Sequence, residues 1–570
     1  YWDYLVAFTY FLLVILLVSL VLLNAGTVGM DFWLSHWSDN DGRYTLGYFV
    51  GIYGAITAAT SVVTLVHQLC WAYGGTIASR LLHHDMLARV LRSPISFFDA
   101  TPVGRILNRF SGDVDTVDKM LPSTFQNLMS LSTRIVSTFI VQAIVFPFIL
   151  ISMLPLALIY FFIQSFYRHS SRELKRLDSI TKSPVYATLS ECLSGVSTLR
   201  AFQAFRRFDV SLQVHINRNA SVFLRLNLIN RWMGLRLDWL GSLLVAVTCL
   251  ITVLTAGKVE PGLVGLALSY SFSITSLLNW LVRSATETET NLSCVERIET
   301  YSKLVTERPP IVDACRPPRE WPSAGAIEFR NLMLRYRPDL PPVLQGVNIS
   351  IAPGEKVGIC GRTGSGKSSL MLGLFRMLEA QEGSIHIDGI NIADIGLDDL
   401  RERLAIIPQD PVLFNGTLRY NLDPTHTFNE ESMWQALESV QMAAYVRAQS
   451  DGLDMHITDG GGNLSTGQRQ LLCLARSLMR DARVLVLDEA TASTDVNSDA
   501  IIQRRLRELH GVTQLTIAHR IDTILDSDKI LVLEAGRVLE FAPPAQLLAD
   551  PNSAFAKLVR QSAAHSASTH

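Results

Sequence analysis

Residues 361–369 read Gly361-Arg362-Thr363-Gly364-Ser365-Gly366-Lys367-Ser368-Ser369, a complete G-x-x-x-x-G-K-[ST] run. Such a loop holds nucleotide phosphates. Gly361, Gly364 and Gly366 let the backbone turn its N–H groups inward, Lys367 reaches the β- and γ-phosphates, and Ser368 offers a hydroxyl to Mg²⁺. Ser368 and Ser369 open a helix whose N-terminus faces the phosphate charge. The flanks suit this role, with Glu355–Cys360 reading as a strand and Ser368–Phe375 as a helix start. Further along, Val484-Leu485-Val486-Leu487-Asp488-Glu489 is an apolar run ending in two acids. That is the pattern of a buried parallel strand delivering carboxylates at its C-terminal edge. Asp488 would hold Mg²⁺, and Glu489 would orient and deprotonate an attacking water. The same pair could do no more than cap the next helix. Tyr336 offers a face for stacking on a base, or simply packs in a strand. Gln409 in Ile406-Ile407-Pro408-Gln409 and His519 in Thr516-Ile517-Ala518-His519 follow apolar stretches, and singly each is a weak signal.

The elements that must position these groups fall into two halves. The chain has 570 residues and a formal charge of −2, so no basic surplus points to nucleic acid. Seven scattered cysteines form no C-x-x-C pair, which argues against a disulfide framework and a zinc site. The chain begins on Tyr1-Trp2-Asp3 without a signal-peptide pattern and reads as a piece of a longer polypeptide. A bilayer demands about 20 apolar residues per helix, and candidate spans lie at residues 4–30, 44–72, 122–146, 147–167, 236–257 and 262–284. The third and fourth are separated only at Phe146-Pro147-Phe148. Arginines crowd the 73–121 and 168–235 connections, whereas the first connection carries Asp31, Asp39 and Asp41 with only Arg43. The basic loops, and both ends of the chain, therefore face the cytoplasm. Asn-x-Ser/Thr sequons at Asn219, Asn291, Asn348, Asn415 and Asn463 fall on that side and read as chance matches. The long connections keep helical periodicity, so the helices continue below the membrane. Ser93–Asp99 with Gly104–Phe110, and Gly195–Phe202, form turn-and-short-helix tips, and exposed Phe97, Phe98 and Phe202 there call for a partner surface.

Tyr336, the glycine loop, Gln409, the pentapeptide Leu464-Ser465-Thr466-Gly467-Gln468, Asp488-Glu489, Asp495 and His519 stand in the order and spacing of the ATP-binding cassette family, which residues 326–550 resemble throughout. The resemblance implies ATP with Mg²⁺, Gln409 linking the Mg²⁺ site to the membrane loops, His519 on the γ-phosphate and Asp495 at a dimer interface. It also implies that ATP is sandwiched between one domain's glycine loop and its partner's pentapeptide, so that Ser465, Gly467 and Gln468 serve the partner's nucleotide. A helix beginning at Ser465 suits that task, because its free N–H groups and positive end attract phosphate.

The membrane half resembles the multidrug-resistance-associated, or C, subfamily at Ser96–Ser111, Ser170–Leu177, Ser183–Tyr186 and Glu287–Asn291. In that subfamily the second pentapeptide is altered at its third residue, and Thr466 stands here where glycine is general. Arg231–Asp238 and Leu278–Arg283 resemble segments that line the cavity of conjugate-exporting members, which singles out Arg236, Asn279, Trp280 and Arg283 as substrate contacts. Arginine in or at the edge of a span is a functional candidate by default, the alternative being snorkelling to headgroups or pairing with Asp238.

The expected architecture is an α-helical polytopic membrane domain of six spans, exporter-like of type IV, followed by an α/β P-loop NTPase domain. Residues 1–305 form the membrane domain, 306–325 a linker and 326–570 the nucleotide domain. The resemblance implies the C-terminal half of an ATP-hydrolysing exporter of amphipathic organic anions, such as glutathione conjugates and drugs. Its expected partners are an N-terminal half, the bilayer and the substrate, with no nucleic acid, and its expected place is the plasma membrane in preference to a vacuolar or lysosomal one. The alternative is an ATP-gated anion channel or channel-regulating receptor of the same subfamily.

Overall fold

The computed structural model describes residues 8, 10–38, 44–255, 259–488, 496–518 and 521–567, and every count below refers to these. The chain divides into two compact units, Tyr1–Leu91 with Pro102–Leu304, and Arg92–Thr101 with Val305–His570.

The first unit is helical. Its main elements are α1 (Tyr10–Ser38), α2 (Leu46–Leu91), α4 (Val103–Asn108), α5 (Leu121–Val145), α6 (Ile149–Ser194), α7 (Val196–Ala201), α8 (Phe205–Leu254) and α9 (Pro261–Ser302), while α3 (Ile95–Ala100) belongs to the other unit. Among the described residues six helical stretches are long and apolar enough to cross a membrane, as expected. Five of them run for 42 to 50 residues, about twice what a bilayer requires, so they extend well past it. The third is continuous over Val103–Val145 because two π-helical turns, Arg109–Asp113 and Thr116–Met120, join α4 to α5. The break at Phe146-Pro147-Phe148 ends α5 at Val145 and lets α6 begin at Ile149.

The first helix runs past residue 30 to Ser38. Its aromatic end explains the difference, since Trp33 Nε1 donates to the Phe49 carbonyl at 3.1 Å and Trp37 stacks on buried Phe49 at 5.8 Å. Helix α9 is the hub, packing on α1, α2, α5 and α8, whereas α6 packs chiefly on α8. Close approach of α8 and α9 depends on Gly241, where a Cβ would fall on the side chain of Thr275. Polar groups join the helices where water is absent: Gln142 Nε2 donates to Ser271 Oγ at 2.7 Å, and Thr248 bonds the same hydroxyl at 3.0 Å. At the base of the unit buried Asp113 accepts from Arg109 at 2.8 Å and from Arg297 Nε at 3.0 Å, tying the π-helical turn to α9.

The second unit is α/β. Its strands are β1 (Ile327–Leu334), β2 (Leu344–Ile351), β3 (Lys356–Cys360), β4 (Ala380–Ile387), β5 (Ile390–Asn391), β6 (Leu404–Ile407), β7 (Gly416–Thr417), β8 (His456–Ile457), β9 (Val484–Asp488), β10 (Thr513–Ile517), β11 (Lys529–Glu534) and β12 (Arg537–Ala542). A six-stranded sheet runs β12-β11-β3-β10-β9-β6, parallel except at β12, and an antiparallel sheet runs β2-β1-β4-β5. Strand β9 is buried along its whole length, as an apolar run covered on both faces must be. Phe329, Leu344, Val357, Ile359, Leu370, Val486, Ile517 and Leu531 belong to one core that joins both sheets to the helix after the glycine loop. Ile95 of α3 packs against this core, and Glu307 N donates to the Arg92 carbonyl at 2.7 Å, which fastens the tip to the unit.

Candidate functional site

Parallel strands present their C-terminal ends on one edge, where open α/β sheets bind ligands. Ile517 of β10 lies beside Ile359 of β3 on one side and Asp488 of β9 on the other, and Ile407 of β6 lies beside Leu487. The loop that begins at Gly361, the Asp488 carboxylate and the segment carrying Gln409 therefore leave the sheet on the same edge, with neighbouring strands spaced by about 4.8 Å.

The glycine loop has a shape that side chains forbid. Gly361 and Gly366 hold φ of 151° and 102°; a Cβ at Gly361 would fall on the Leu533 carbonyl, and one at Gly366 would sit 2.6 Å from Leu344. Lys367 begins α10 (Lys367–Leu374), is 6% exposed, and folds its ammonium over the loop to the carbonyls of Gly361 at 2.9 Å and Arg362 at 3.2 Å. Ser365 Oγ is buried without a hydrogen-bond partner among the described residues. A cradle free of Cβ atoms, a fixed ammonium and an unsatisfied hydroxyl together fit polyphosphate. Exposed Ser368 and buried Asp488 supply hard oxygen donors of the kind Mg²⁺ takes alongside water and phosphate. Among the described residues no cluster of three or more His, Cys, Asp or Glu could hold a metal without such help.

The remaining nucleotide candidates are placed unevenly. Tyr336 is half-buried against the core, and its hydroxyl bonds Ser369 Oγ at 3.0 Å. Ser369 is buried, and its hydroxyl is turned to Tyr336. Gln409 exposes its side chain, and its carbonyl accepts from Gln470 Nε2 at 3.0 Å. Helix α11 (Thr466–Met479) starts on a full capping box: Gln468 N donates to Ser465 Oγ at 3.1 Å and Ser465 N to Gln468 Oε1 at 2.9 Å. Gly467 is buried under this turn, and Thr466 Oγ1 accepts from Arg469 at 3.2 Å. Glu489, Asp495 and His519 lie outside the described residues.

In the membrane unit Asn279, Trp280 and Arg283 line one cavity of about 710 Å³ between α8 and α9. Arg283 lies over the Trp280 ring at 5.5 Å and donates to Glu287 at 3.2 Å. Arg236 is not brought to them. It lines a separate, more apolar cavity with Trp239 and Leu243, and its guanidinium covers the Trp232 ring at 4.4 Å. The reason is helical phase: Arg231, Gly234, Leu235 and Asp238 form the stripe of α8 that faces the first cavity, and Arg236 falls off that stripe.

Residues 10–278 match the ABC transporter transmembrane region and residues 344–492 match the ABC transporter family's nucleotide domain. Similar proteins include ABC transporter C family member 12 of Dictyostelium discoideum, 42% identical over 98% of this chain and 44% of its own length. Metal resistance protein YCF1 of Saccharomyces cerevisiae is 46% identical over 95% of the chain and 36% of its own length, and ATP-binding cassette sub-family C member 2 of Homo sapiens is 43% identical over 97% and 36%. The chain belongs to the ABC transporters, in their C subfamily. It spans well under half the length of these relatives. This ABC transporter chain is an integral, multi-pass membrane protein.

Sequence reasoning overlooked several side chains of the α8–α9 cavity. Lys175, Tyr167 and Asn230 line it, with Tyr167 donating to Asn230 at 2.8 Å and Lys175 to Thr290 at 3.0 Å. Lys175 comes from α6, and no spacing within α8 or α9 could have revealed it. The fastening of α3 was equally hidden: Glu307 takes both Arg401 nitrogens at 2.8 and 2.9 Å, while buried Arg376 donates to the Ile392 and Ile395 carbonyls.

Proposed function

We propose that this chain supplies the second membrane domain and second nucleotide domain of an ATP-driven exporter of amphipathic organic anions, such as glutathione conjugates and drug-like molecules, in the plasma membrane. The carrying observation is the joint presence of a phosphate cradle at the sheet edge and a cavity in which Arg283 covers Trp280. A guanidinium suits a carboxylate, and an indole suits an apolar body.

In this reading the glycine loop and Lys367 hold the ATP phosphates. Mg²⁺ would neutralise phosphate charge, with Ser368, Asp488 and Gln409 as the residues to hold it. Glu489 deprotonates the attacking water, while His519 contacts the γ-phosphate. Tyr336 stacks on adenine. Ser465, Gly467 and Gln468, with Asp495 at the interface, serve the nucleotide held by an N-terminal half. ATP binding closes the two nucleotide domains, the tips at α3–α4 and α7 transmit closure, and hydrolysis resets the inward-open state. Asn279, Trp280 and Arg283 contact substrate; Arg236, set in its own cavity, contributes through Trp232 rather than directly.

The test is uptake into inside-out vesicles of the full transporter, beside patch-clamp of the same membranes. ATP-dependent accumulation of a radiolabelled glutathione conjugate without conductance supports the pump. Conductance without accumulation replaces it with the channel reading. Arg283→Ala is expected to depress uptake of an anionic conjugate about tenfold more than that of a neutral amphipath, the size of one charged hydrogen bond. An unchanged ratio at equal protein level removes Arg283 from the substrate site.

A further inference from the structure

A second cavity, of about 650 Å³, opens in the membrane unit among α1, α5 and α9. Its wall includes Asn24, Asp31, Arg134, Ser137, Tyr270 and Ser273. At 1.5 Å per residue, Asp31 lies about 10 Å along α1 from Ser38, Tyr270 about 13 Å along α9 from Pro261, and Arg134 about 17 Å along α5 from Val145. The loop charges direct those helix ends away from the cytoplasm. Measured from those ends, Asp31 and Tyr270 lie in the outer half of a hydrocarbon layer about 30 Å thick and Arg134 near its middle. Arg283, about 33 Å along α9 from Pro261, lies at the opposite boundary.

Most polar groups of the wall are already engaged. Asn24 donates to Leu20 O at 2.8 Å and Thr133 Oγ1 at 3.1 Å, Ser137 donates to Thr133 O at 3.0 Å, and Ser273 to Ser269 O at 3.0 Å. Two groups of opposite charge keep capacity. Asp31 accepts the Tyr270 hydroxyl on Oδ2 at 2.6 Å, which leaves Oδ1, and among the described residues the Arg134 side chain makes no hydrogen bond or ion pair. A guanidinium at this depth is costly unless it meets a partner, and is a functional-site candidate for that reason. A wall with one free cation and one partly free anion discriminates against simple anions and simple cations alike, because either would face a like charge. A molecule carrying both signs a few bonds apart satisfies both.

We propose that this cavity binds the zwitterionic α-amino acid head of an organic conjugate, Arg134 gripping the carboxylate and Asp31, steadied by Tyr270, taking the ammonium. The planar guanidinium matches a carboxylate in bidentate fashion. The site lies outward of the Trp280–Arg283 cavity and takes a different part of the molecule. For its transport arm the inference rests on the export reading above.

The test compares two tritiated probes that differ at one group, S-(2,4-dinitrophenyl)glutathione and its N-acetyl derivative, as uptake into inside-out vesicles of the full transporter. Asp31→Asn is expected to reduce the ratio of free-amine to acetylated uptake about tenfold, the worth of one charge-assisted hydrogen bond. Arg134→Gln is expected to raise KM for both probes with kcat little changed, and Arg134→Lys to restore it in part. An unchanged probe ratio in Asp31→Asn overturns the proposal. So does an equal loss, at equal protein level, for both probes and a neutral amphipath in both variants, which identifies an Arg134–Asp31 structural pair. If the wild-type vesicles accumulate neither probe, the export reading fails separately, and photolabelling with S-(p-azidophenacyl)glutathione still decides the site. Labelled peptides from α1, α5 or α9 that disappear in Arg134→Gln support it, and their absence from the wild type overturns it.

Discussion

A single hydroxyl and a single turn illustrate how much rests on individual residues. Thr466 sets a β-branched side chain, pinned by Arg469, in the first turn of α11, where in the proposed arrangement a partner's γ-phosphate would approach the helix N-terminus. Thr466→Gly, in a transporter whose own loop is silenced by Lys367→Ala, is expected to raise the residual ATPase rate several-fold, on the order of 1 kcal/mol in barrier. A residual rate that stays flat or falls shows that the threonine is no obstacle. Asp388 makes a different kind of contribution. Burial pushes its carboxyl up, but the N–H groups of Gly325, Ala324 and Ala326, at 3.0, 2.9 and 2.7 Å, outweigh it and hold the group below the usual carboxylate range. A depressed carboxylate stabilises the fold above its unfolded value, near pH 4, and this is lost as pH falls through the lower folded value. Asp388→Asn should therefore cost about 1–2 kcal/mol at neutral pH, allowing for partial exposure. Denaturant titrations followed by tryptophan fluorescence should show wild type and variant converging below about pH 4. A gap that persists in acid assigns the loss to the turn's shape instead.

At the scale of elements, the contact between α8 and α9 turns on one small residue. Each helix is far longer than a bilayer needs, and lipid-facing apolar surface gives no drive for one helix to prefer another; close packing must do so. Gly241 supplies it, since a Cβ there would fall on Thr275. Gly241→Ala is expected to lower the yield of folded transporter at the membrane, and Thr275→Gly in the same chain to restore it. Failure of that rescue means the defect lies elsewhere on α8. The same helix pair forms the cavity lined by Gly234 and Asn279, where Asn279 Nδ2 lies 3.6 Å from the place a Cβ on Gly234 would take, so the rescued variant should also regain substrate uptake. The sequence made the long helices plain and marked a short-helix tip at Ser93–Asp99, but not which unit α3 packs with. Residues Ile95–Ala100 pack with the nucleotide unit because Ile95 finds that unit's core and Glu307 bonds Arg92, contacts between segments distant in the chain.

For the whole molecule, asymmetry between two ATP sites is the leading expectation. This chain carries Lys367 and Asp488 in favourable settings but a pentapeptide with Thr466, so the site built on its own loop should do most of the hydrolysis. Mutating the glycine-loop lysine of each half in turn and measuring ATPase tests this: Lys367→Ala should remove most turnover, and the equivalent change in the N-terminal half much less. Equal losses contradict it. The phosphate loop, the acid-ended strand and the six spans were legible in the sequence by itself, because each is a local pattern whose physics needs only neighbours in the chain: glycines that free the backbone, apolar runs that must be covered, lengths that match a bilayer. Tertiary structure alone decided which charged side chains share a cavity. Arg236 and Arg283 looked equivalent by sequence, yet helical phase sends one to Trp232 and the other to Trp280, while Lys175 arrives from α6 and Arg134 of α5 lines one cavity with Asp31 of α1. Such meetings depend on how long helices are rotated against one another. That rotation is set by packing at small residues such as Gly241 and by buried polar bonds such as Gln142 to Ser271, and it has no signature at any fixed spacing along the chain.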